Sequence, residues 1–290
     1  MGADITFFTP EMKEIFDSTQ ALTPLSTGHS FTEGPVWRKK DSSLYFTDFP
    51  QDKIYKWDET GVSLFTDKSN RAIGLALDHN ENILSCESRL HQIAVVTKNG
   101  SQPLVNSFEG KRFNSLNDVI MSKKGELLFT DPFSKMLGVP SAQGFNGVYI
   151  KNTNGQVAVV SKEFVWPNGL CLNNEETRLY VNDTGEQKIY MFEKNDKGDF
   201  GPRKTFASLD PAFGEGAPDG MKIDREDRLW VTGPGGVWVF GPDATPVAIV
   251  HCPEFVGNFC FGGLDSDELF LTASSTVYRL KLAKKITGAN

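Results

Sequence analysis

The sequence predicts an all-β fold, a six-bladed β-propeller with four-stranded blades around a central channel. Three observations carry that expectation: a strand-like motif recurs six times, its copies are one blade length apart, and six such periods use up nearly the whole chain. The copies are Leu44-Tyr-Phe-Thr-Asp48, Ile83-Leu-Ser-Cys-Glu87, Leu127-Leu-Phe-Thr-Asp131, Leu179-Tyr-Val-Asn-Asp183, Leu229-Trp-Val-Thr-Gly233 and Leu269-Phe-Leu-Thr-Ala273. They are rich in β-branched and aromatic residues and alternate apolar with polar positions, as strands do. Polar turns such as Asp41-Ser-Ser43, Asn80-Glu-Asn82, Lys123-Lys-Gly-Glu126 and Asp224-Arg-Glu-Asp-Arg228 precede them, which suits hairpins. Their first residues are 39, 44, 52, 50 and 40 positions apart, a mean of 45, the period of a four-stranded blade.

The remaining elements follow from that period. A further strand lies about ten residues after each motif: Ile54–Trp57, Gln92–Val96, Gly147–Ile150, Lys188–Phe192, Gly236–Phe240 and Thr276–Leu280. Two separate sandwiches would also give short, regularly spaced strands, but would not explain one motif recurring six times. Six periods of 45 account for about 270 of 290 residues, so residues 1–290 read as one propeller domain without a linker. Within the N-terminal segment 1–20, Thr9-Pro10-Glu11 predicts one short helix, a hydroxyl cap followed by proline at the first helical position.

Composition excludes several classes of function. Thirty Lys and Arg against 37 Asp and Glu give a net charge of -7 with no basic cluster, so phosphate-backbone binding lacks its driving force. No apolar run approaches the ~20 residues of a membrane-spanning helix. Cys86, Cys171, Cys252 and Cys260 form no metal-binding spacing, and their apolar neighbours suit small buried thiols kept reduced in the cytoplasm. The opening MGADITFFTPEMKEIF carries acids and no continuous apolar stretch, so no secretory signal is expected, and Met1-Gly2 with Thr6 fits a myristoylation pattern only by chance. Asn182-Asp183-Thr184 is an equally uninformative glycosylation sequon, and His29, His79, His91 and His251 show no ligand spacing.

Aligning the repeats exposes a candidate site. Ten or eleven positions before each motif, where the innermost strand begins, stand Glu33, Ile73, Asn117, Asn168, Asp219 and Asn258. Inner strands of a propeller surround the channel, so equivalent positions form a ring at one depth, and five of these six carry side-chain oxygens. Carboxylate and amide oxygens are hard donors suited to a divalent cation such as calcium, magnesium or manganese. Glu33 and Asp219 would balance its charge, while Asn117 and Asn168 would add neutral oxygens and leave a position for water or substrate. Turn chemistry accounts for Pro167-Asn168-Gly169 and Pro218-Asp219-Gly220 taken singly, but it predicts neither Glu33 nor Asn117.

The motifs Glu33-Gly-Pro-Val-Trp37, Arg112-Phe-Asn-Ser-Leu-Asn-Asp-Val119, Phe129-Thr-Asp-Pro132, Trp166-Pro-Asn-Gly-Leu170 and Pro218-Asp-Gly-Met221 extend this reading. In these motifs, over nearly its full length, the chain resembles the regucalcin-like, senescence-marker-protein and gluconolactonase family, with diisopropyl fluorophosphatase as a more distant relative. The resemblance implies a divalent cation, with zinc a further candidate, held by Glu33, Asn168 and Asp219, and with Asn117 as ligand or substrate contact. It implies hydrolysis of a small sugar lactone with Asp219 as the catalytic base. Direct carboxylate attack, as in the phosphatase relative, is the alternative for the same residue.

Arg112, Asn114 and Ser115, on the loop entering the third blade, are expected to meet substrate hydroxyls together with Asn117. Ser115 stands where some family members have arginine, a departure that bears on which substrate is preferred; Asn258 stands where the fluorophosphatase relatives have histidine, so an organophosphate or other ester is the alternative substrate rather than the first. Asp131 and Asp183 are expected to tie adjacent blades together, and Phe31, Phe133 and Trp166 are candidates for the pocket wall or for plain core packing. A non-catalytic binding scaffold would need no such ring of oxygens and should instead present a large apolar patch. The expected partner is therefore a small molecule, with no nucleic acid or membrane, and the chain a monomer or weak oligomer.

Overall fold

The computed structural model describes residues 2–16, 19–133 and 140–286; Met1, and with it the start of the N-terminal acylation pattern, lies outside them. Six antiparallel sheets follow one another in a ring. From the channel outward, blade one contains Thr32–Arg38, Ser43–Asp48, Lys53–Asp58 and Gly61–Thr66. Blade two contains Ala72–Leu77, Ile83–Glu87, Gln92–Thr97 and Gly100–Val105. Blade three contains Val119–Met121, Leu127–Asp131, Gly147–Lys151 and Val157–Ser161. Blade four contains Pro167–Leu172, Arg178–Asp183, Lys188–Glu193 and Lys204–Ser208.

The last two blades borrow from the start of the chain. Blade five runs Met221–Ile223, Leu229–Gly233, Gly236–Phe240 and Pro246–His251, with Ile5–Phe7 added as a fifth, outermost strand. Blade six contains Val256–Gly262, Glu268–Ala273 and Thr276–Lys281, and Thr23–Ser26 supplies its outer strand by pairing antiparallel with Thr276–Lys281. Between these two additions lies a 3-10 helix, Pro10–Glu14, with proline in its first turn; the Thr9 side chain makes no capping bond. Among the described residues no helix is long and apolar enough to cross a membrane.

The six recurrent motifs are the second strands, and in blades one, two, three and five they are buried along their whole length. Alternation in the sequence therefore does not mean one wet face: each blade is covered on both sides by its neighbours, so the polar members of the motif are buried too. Thr47, Thr130, Thr232 and Thr272 all have no exposed surface. Their hydroxyls must find partners inside, and the Thr47 and Thr130 hydroxyls donate to the carbonyls of Ile73 and Asn168 on the next blade, at 3.1 and 2.8 Å. Apolar side chains fill the seams between blades, as where Trp230, Phe259 and Leu269 pack together with Met12 and Phe16 from the N-terminal segment.

Inner strands leave their ladders at one depth. The pairing slips between Glu33 and Val36, Ala72 and Leu75, Pro167 and Leu170, and Val256 and Asn258, whereas the inner strands of blades three and five begin only after Asn117 and Asp219. Such bulges re-aim side chains and backbone, here at the positions the repeat alignment singles out.

Candidate active site

Glycines at the bulges let successive inner strands approach. A β-carbon on Gly34 would stand 2.2 Å from the Ile73 carbonyl oxygen, and one on Gly74 would stand 2.6 Å from the Asn117 carbonyl oxygen. Gly169 repeats the contact against the Asp219 carbonyl oxygen, whereas β-carbons on Gly220 and Gly257 would meet the side-chain oxygens of Asn258 and Glu33. Backbone bonds lock the same seams: the Gly74 amide donates to Asn117 O at 2.8 Å and the Gly220 amide to Gly257 O at 2.9 Å. The strands thus crowd around the channel at the depth of the aligned residues.

Glu33 is buried, accepts a hydrogen bond from the Gly34 amide at 2.8 Å and a further one from the Asn258 side chain. Burial pushes its carboxyl up, and the Asp118 charge adds to that effect. Asp219 is partly accessible by surface but walled by protein; burial raises its carboxyl well above the ordinary carboxylate range, and the neighbouring charges of Glu33 and then Asp118 raise it further. Asn168 hydrogen-bonds to the Asp219 carboxylate, and its Nδ2 also donates to Thr184 Oγ1 at 3.1 Å. Glu33, Asn168 and Asp219, from blades one, four and five, therefore meet. Asn117 is half-buried at the same depth on blade three, its amide and carbonyl tied to Thr130 O and the Gly74 amide.

Two features bear on whether these residues fit a cation. Asn168 Oδ1 is buried without a hydrogen-bond partner, as is Asp118 Oδ2. Unpaired buried acceptors beside carboxylates that repel one another are what a hard cation would satisfy. Among the described residues no three Asp, Glu, His or Cys side chains are grouped to hold a metal, so amide oxygens would have to complete the ligand set. The donors fit calcium, magnesium or manganese by chemistry rather than zinc.

Arg112 and Asn114 are placed differently from the ring. The Arg112 guanidinium donates to Phe113 O at 3.0 Å and Pro140 O at 2.9 Å. The buried Asn114 amide donates to Asp131 O and Phe145 O and accepts from Ser141 Oγ, so its bonding capacity is largely used within the loop. Asp131 accepts from the Asn114 and Ser115 amides, Asp183 from the Val165 and Trp166 amides, and Asp48 from the Ser30 and Phe31 amides. These aspartates hold the loop entering their own blade, not the neighbouring blade, because the second strand ends directly beside that loop. Phe31 lies against the same Gly257 position as Glu33 and packs edge-on to Phe49. Phe133 and Trp166 are half-buried, fixed through backbone amides bonded to Asn146 Oδ1 and Asp183 Oδ1.

Two clefts lie away from the ring. One of about 360 Å³ is lined by Arg38, Phe65, Val95 and Lys98, and one of about 330 Å³ by Phe213, Glu215, His251 and Glu254; neither includes a ring residue. Repeat alignment missed Asp118 as a member of the site. Its signal was present: blades one, two, four and five carry glycine directly after the ring residue, and blade three carries a carboxylate there.

Fold and ring together define a six-bladed propeller whose channel carries a cluster of carboxylates and amides. The SMP-30/Gluconolactonase/LRE-like region pattern matches residues 31–275, and the chain belongs to that family. It is 29% identical to a gluconolactonase of Zymomonas mobilis over 96% of this chain and 85% of that one. A pentonolactonase of Haloferax volcanii is 25% identical over 83% of this chain and 81% of its own. The solved structure of a gluconolactonase from Xanthomonas campestris superposes with a TM-score of 0.88 at 26% identity, covering 97% of both chains. All four cysteines are free thiols.

Proposed function

We propose that this chain hydrolyses sugar lactones, opening an aldonolactone to the aldonic acid, with a divalent cation held by Glu33, Asn168 and Asp219 and with Asn117 as a fourth donor or a substrate contact. The observation that carries the proposal is the meeting of Glu33, Asp219 and the unpartnered Asn168 Oδ1 at the channel. The gluconolactonase and pentonolactonase relatives support the substrate class.

When bound, a divalent cation supplies Lewis-acid polarisation of the lactone carbonyl. Asp219 is the general base: it accepts a proton from the water whose oxygen adds to the carbonyl carbon. Without metal, burial and the Glu33 charge raise the Asp219 carboxyl, a bound dication works against that rise, and the Asn168 amide orients the carboxylate. The ring C–O bond then breaks, the departing oxygen takes back a proton, and the product is the open hydroxy acid. Arg112 borders the entry loop and is placed to meet hydroxyls only through donor positions its two carbonyl bonds do not use. Asn114 holds that loop in shape.

The reading takes residues 1–290 as one propeller domain, a monomer or weak oligomer acting in the cytoplasm, where its unpaired thiols stay reduced. Its test is lactone hydrolysis before and after exhaustive chelation, with add-back of calcium, magnesium and manganese separately. Activity lost on chelation and restored by one of these ions supports it. Hydrolysis undiminished by chelation, or by Asp219→Ala, refutes it.

A further inference from the structure

Asn182, Asp183 and Thr184, the three residues that read as a chance glycosylation sequon, all serve the seam between blades four and five. Asn182 has no exposed surface, and its side-chain amide donates to Asp219 O on blade five. Asp183 holds the Val165 and Trp166 amides of the loop before Asn168. Thr184 Oγ1 lies between the two blades, 3.1 Å from Asn168 Nδ2 and 2.6 Å from Pro218 O. Equivalent positions in the other repeats behave otherwise. Phe49, Pro132 and Pro234 have no hydroxyl there. The Ser88 and Ser274 hydroxyls donate to Arg71 O at 2.9 Å and Phe255 O at 3.2 Å, each on the loop entering its own blade. Of the six positions, only Thr184 sends its proton to the next blade.

A hydroxyl has one proton to give, and a carbonyl oxygen can only accept. With that proton committed to Pro218 O, the Thr184 oxygen can only accept, so the N–H side of the Asn168 amide must face it. The amide is planar, and its Oδ1 is thereby turned away from Thr184; this is the buried oxygen that has no partner. Reversed, the same side chain would aim two N–H donors where a cation needs an acceptor. We infer that Thr184 is a positioning residue that fixes the Asn168 amide with its oxygen, not its nitrogen, free to serve as a ligand. This rests on the cation-binding reading above and adds to it a residue that sets cation affinity without touching the cation or a reacting atom.

The experiment is a double-mutant cycle read by calorimetric titration with calcium, using wild type, Thr184→Val, Asn168→Asp and the pair, with Thr184→Ser as the conservative control. Valine keeps the shape of threonine and removes the hydroxyl. Thr184→Val should weaken calcium binding about tenfold to a hundredfold, while Thr184→Ser stays within about threefold of wild type. Aspartate offers an oxygen at either end, so in the Asn168→Asp background the valine change should cost less than about threefold. An equal loss in both backgrounds overturns the inference, because Thr184 would then act only through the Pro218 segment; so does unchanged binding by Thr184→Val. Chelated protein gives a second readout. The Asn168 side-chain amide protons, assigned by their absence in Asn168→Asp, should exchange with solvent about tenfold faster or more in Thr184→Val than in wild type, and equal rates overturn the inference. Should Thr184→Val not fold, the wild type decides: Asn168 protons exchanging more slowly than those of the exposed Asn154 side chain support the inference, and exchange as fast overturns it. A wild type that binds none of calcium, magnesium and manganese would defeat the function reading, while amide exchange would still test the orientation.

Discussion

The carbonyl oxygen of Asp219 lies 1.9 Å from the point where a β-carbon on Gly169 would stand. No real β-carbon tolerates that distance to a backbone atom, and Gly169 follows Asn168 directly, so two proposed ligands from adjacent blades are packed through a single missing methyl group. Gly169→Ala should cost about 3 kcal/mol or more in chemical unfolding, at the upper end for overpacking. Activity should fall further than that instability explains. A variant as stable as wild type would show that the seam has slack.

Asp219→Asn separates chemistry from folding. Losing the general base should lower kcat by about a hundredfold to ten-thousandfold. Chelated protein should nonetheless melt at or above the wild-type temperature, because the change removes a carboxylate that Glu33 and Asp118 oppose. Near-normal turnover would move the proton acceptor elsewhere.

Burial lifts the Glu33 carboxyl to about 7 and that of Asp131 also to about 7. Both are raised above their unfolded values, so their contribution to stability is complete below about pH 4 and is lost as pH climbs through 7. Metal-free protein should therefore lose stability between roughly pH 4.5 and 7.5, while the stabilisation by calcium grows over the same interval because binding requires the ionised cluster. Differential scanning calorimetry across that range, with and without chelator, measures both slopes. Parallel curves would contradict the assignment.

Asp183 receives the Val165 and Trp166 amides at 2.7 and 3.0 Å and that of Gly185 at 2.9 Å. Asp183→Ala would strand these donors in a buried setting and should cost about 3 kcal/mol, with the loop before Asn168 loosened. Urea unfolding gives the first quantity and calcium titration the second, which should weaken. Wild-type calcium affinity in this variant would mean that the loop does not position Asn168.

Blade number, the second and third strands and the depth of the ring were legible because they repeat: six copies of a strand motif amplify a periodicity that one copy could not establish. The fifth strand of blade five and the borrowed strand of blade six were not, since Ile5–Phe7 and Thr23–Ser26 resemble no repeat and pair with residues more than 200 positions away. Nor did the hydrophobic pattern reveal that the motif's threonines are buried; only stacking of blade on blade does that. Glu33, Asn168 and Asp219 stood out by phase alone, whereas Asp118 lies one position off the phase and becomes visible only where the strand carrying Gly74 packs against it. Asn114 looked like a substrate contact because polar loop residues often are, yet its amide serves the loop.

The pairing of Thr23–Ser26 with Thr276–Lys281 has a consequence for how the molecule acquires its shape. A ribosome-bound chain emerges with residues 23–26 unable to find their sheet until residues 276–281 have been synthesised, so the toroid stays gapped until then. Ring closure is then a late, non-local event with a high entropic threshold. The seam between the first and sixth blades, where Glu33 meets Gly257, is the last to be sealed, and the channel acquires its full complement of acids only at that moment.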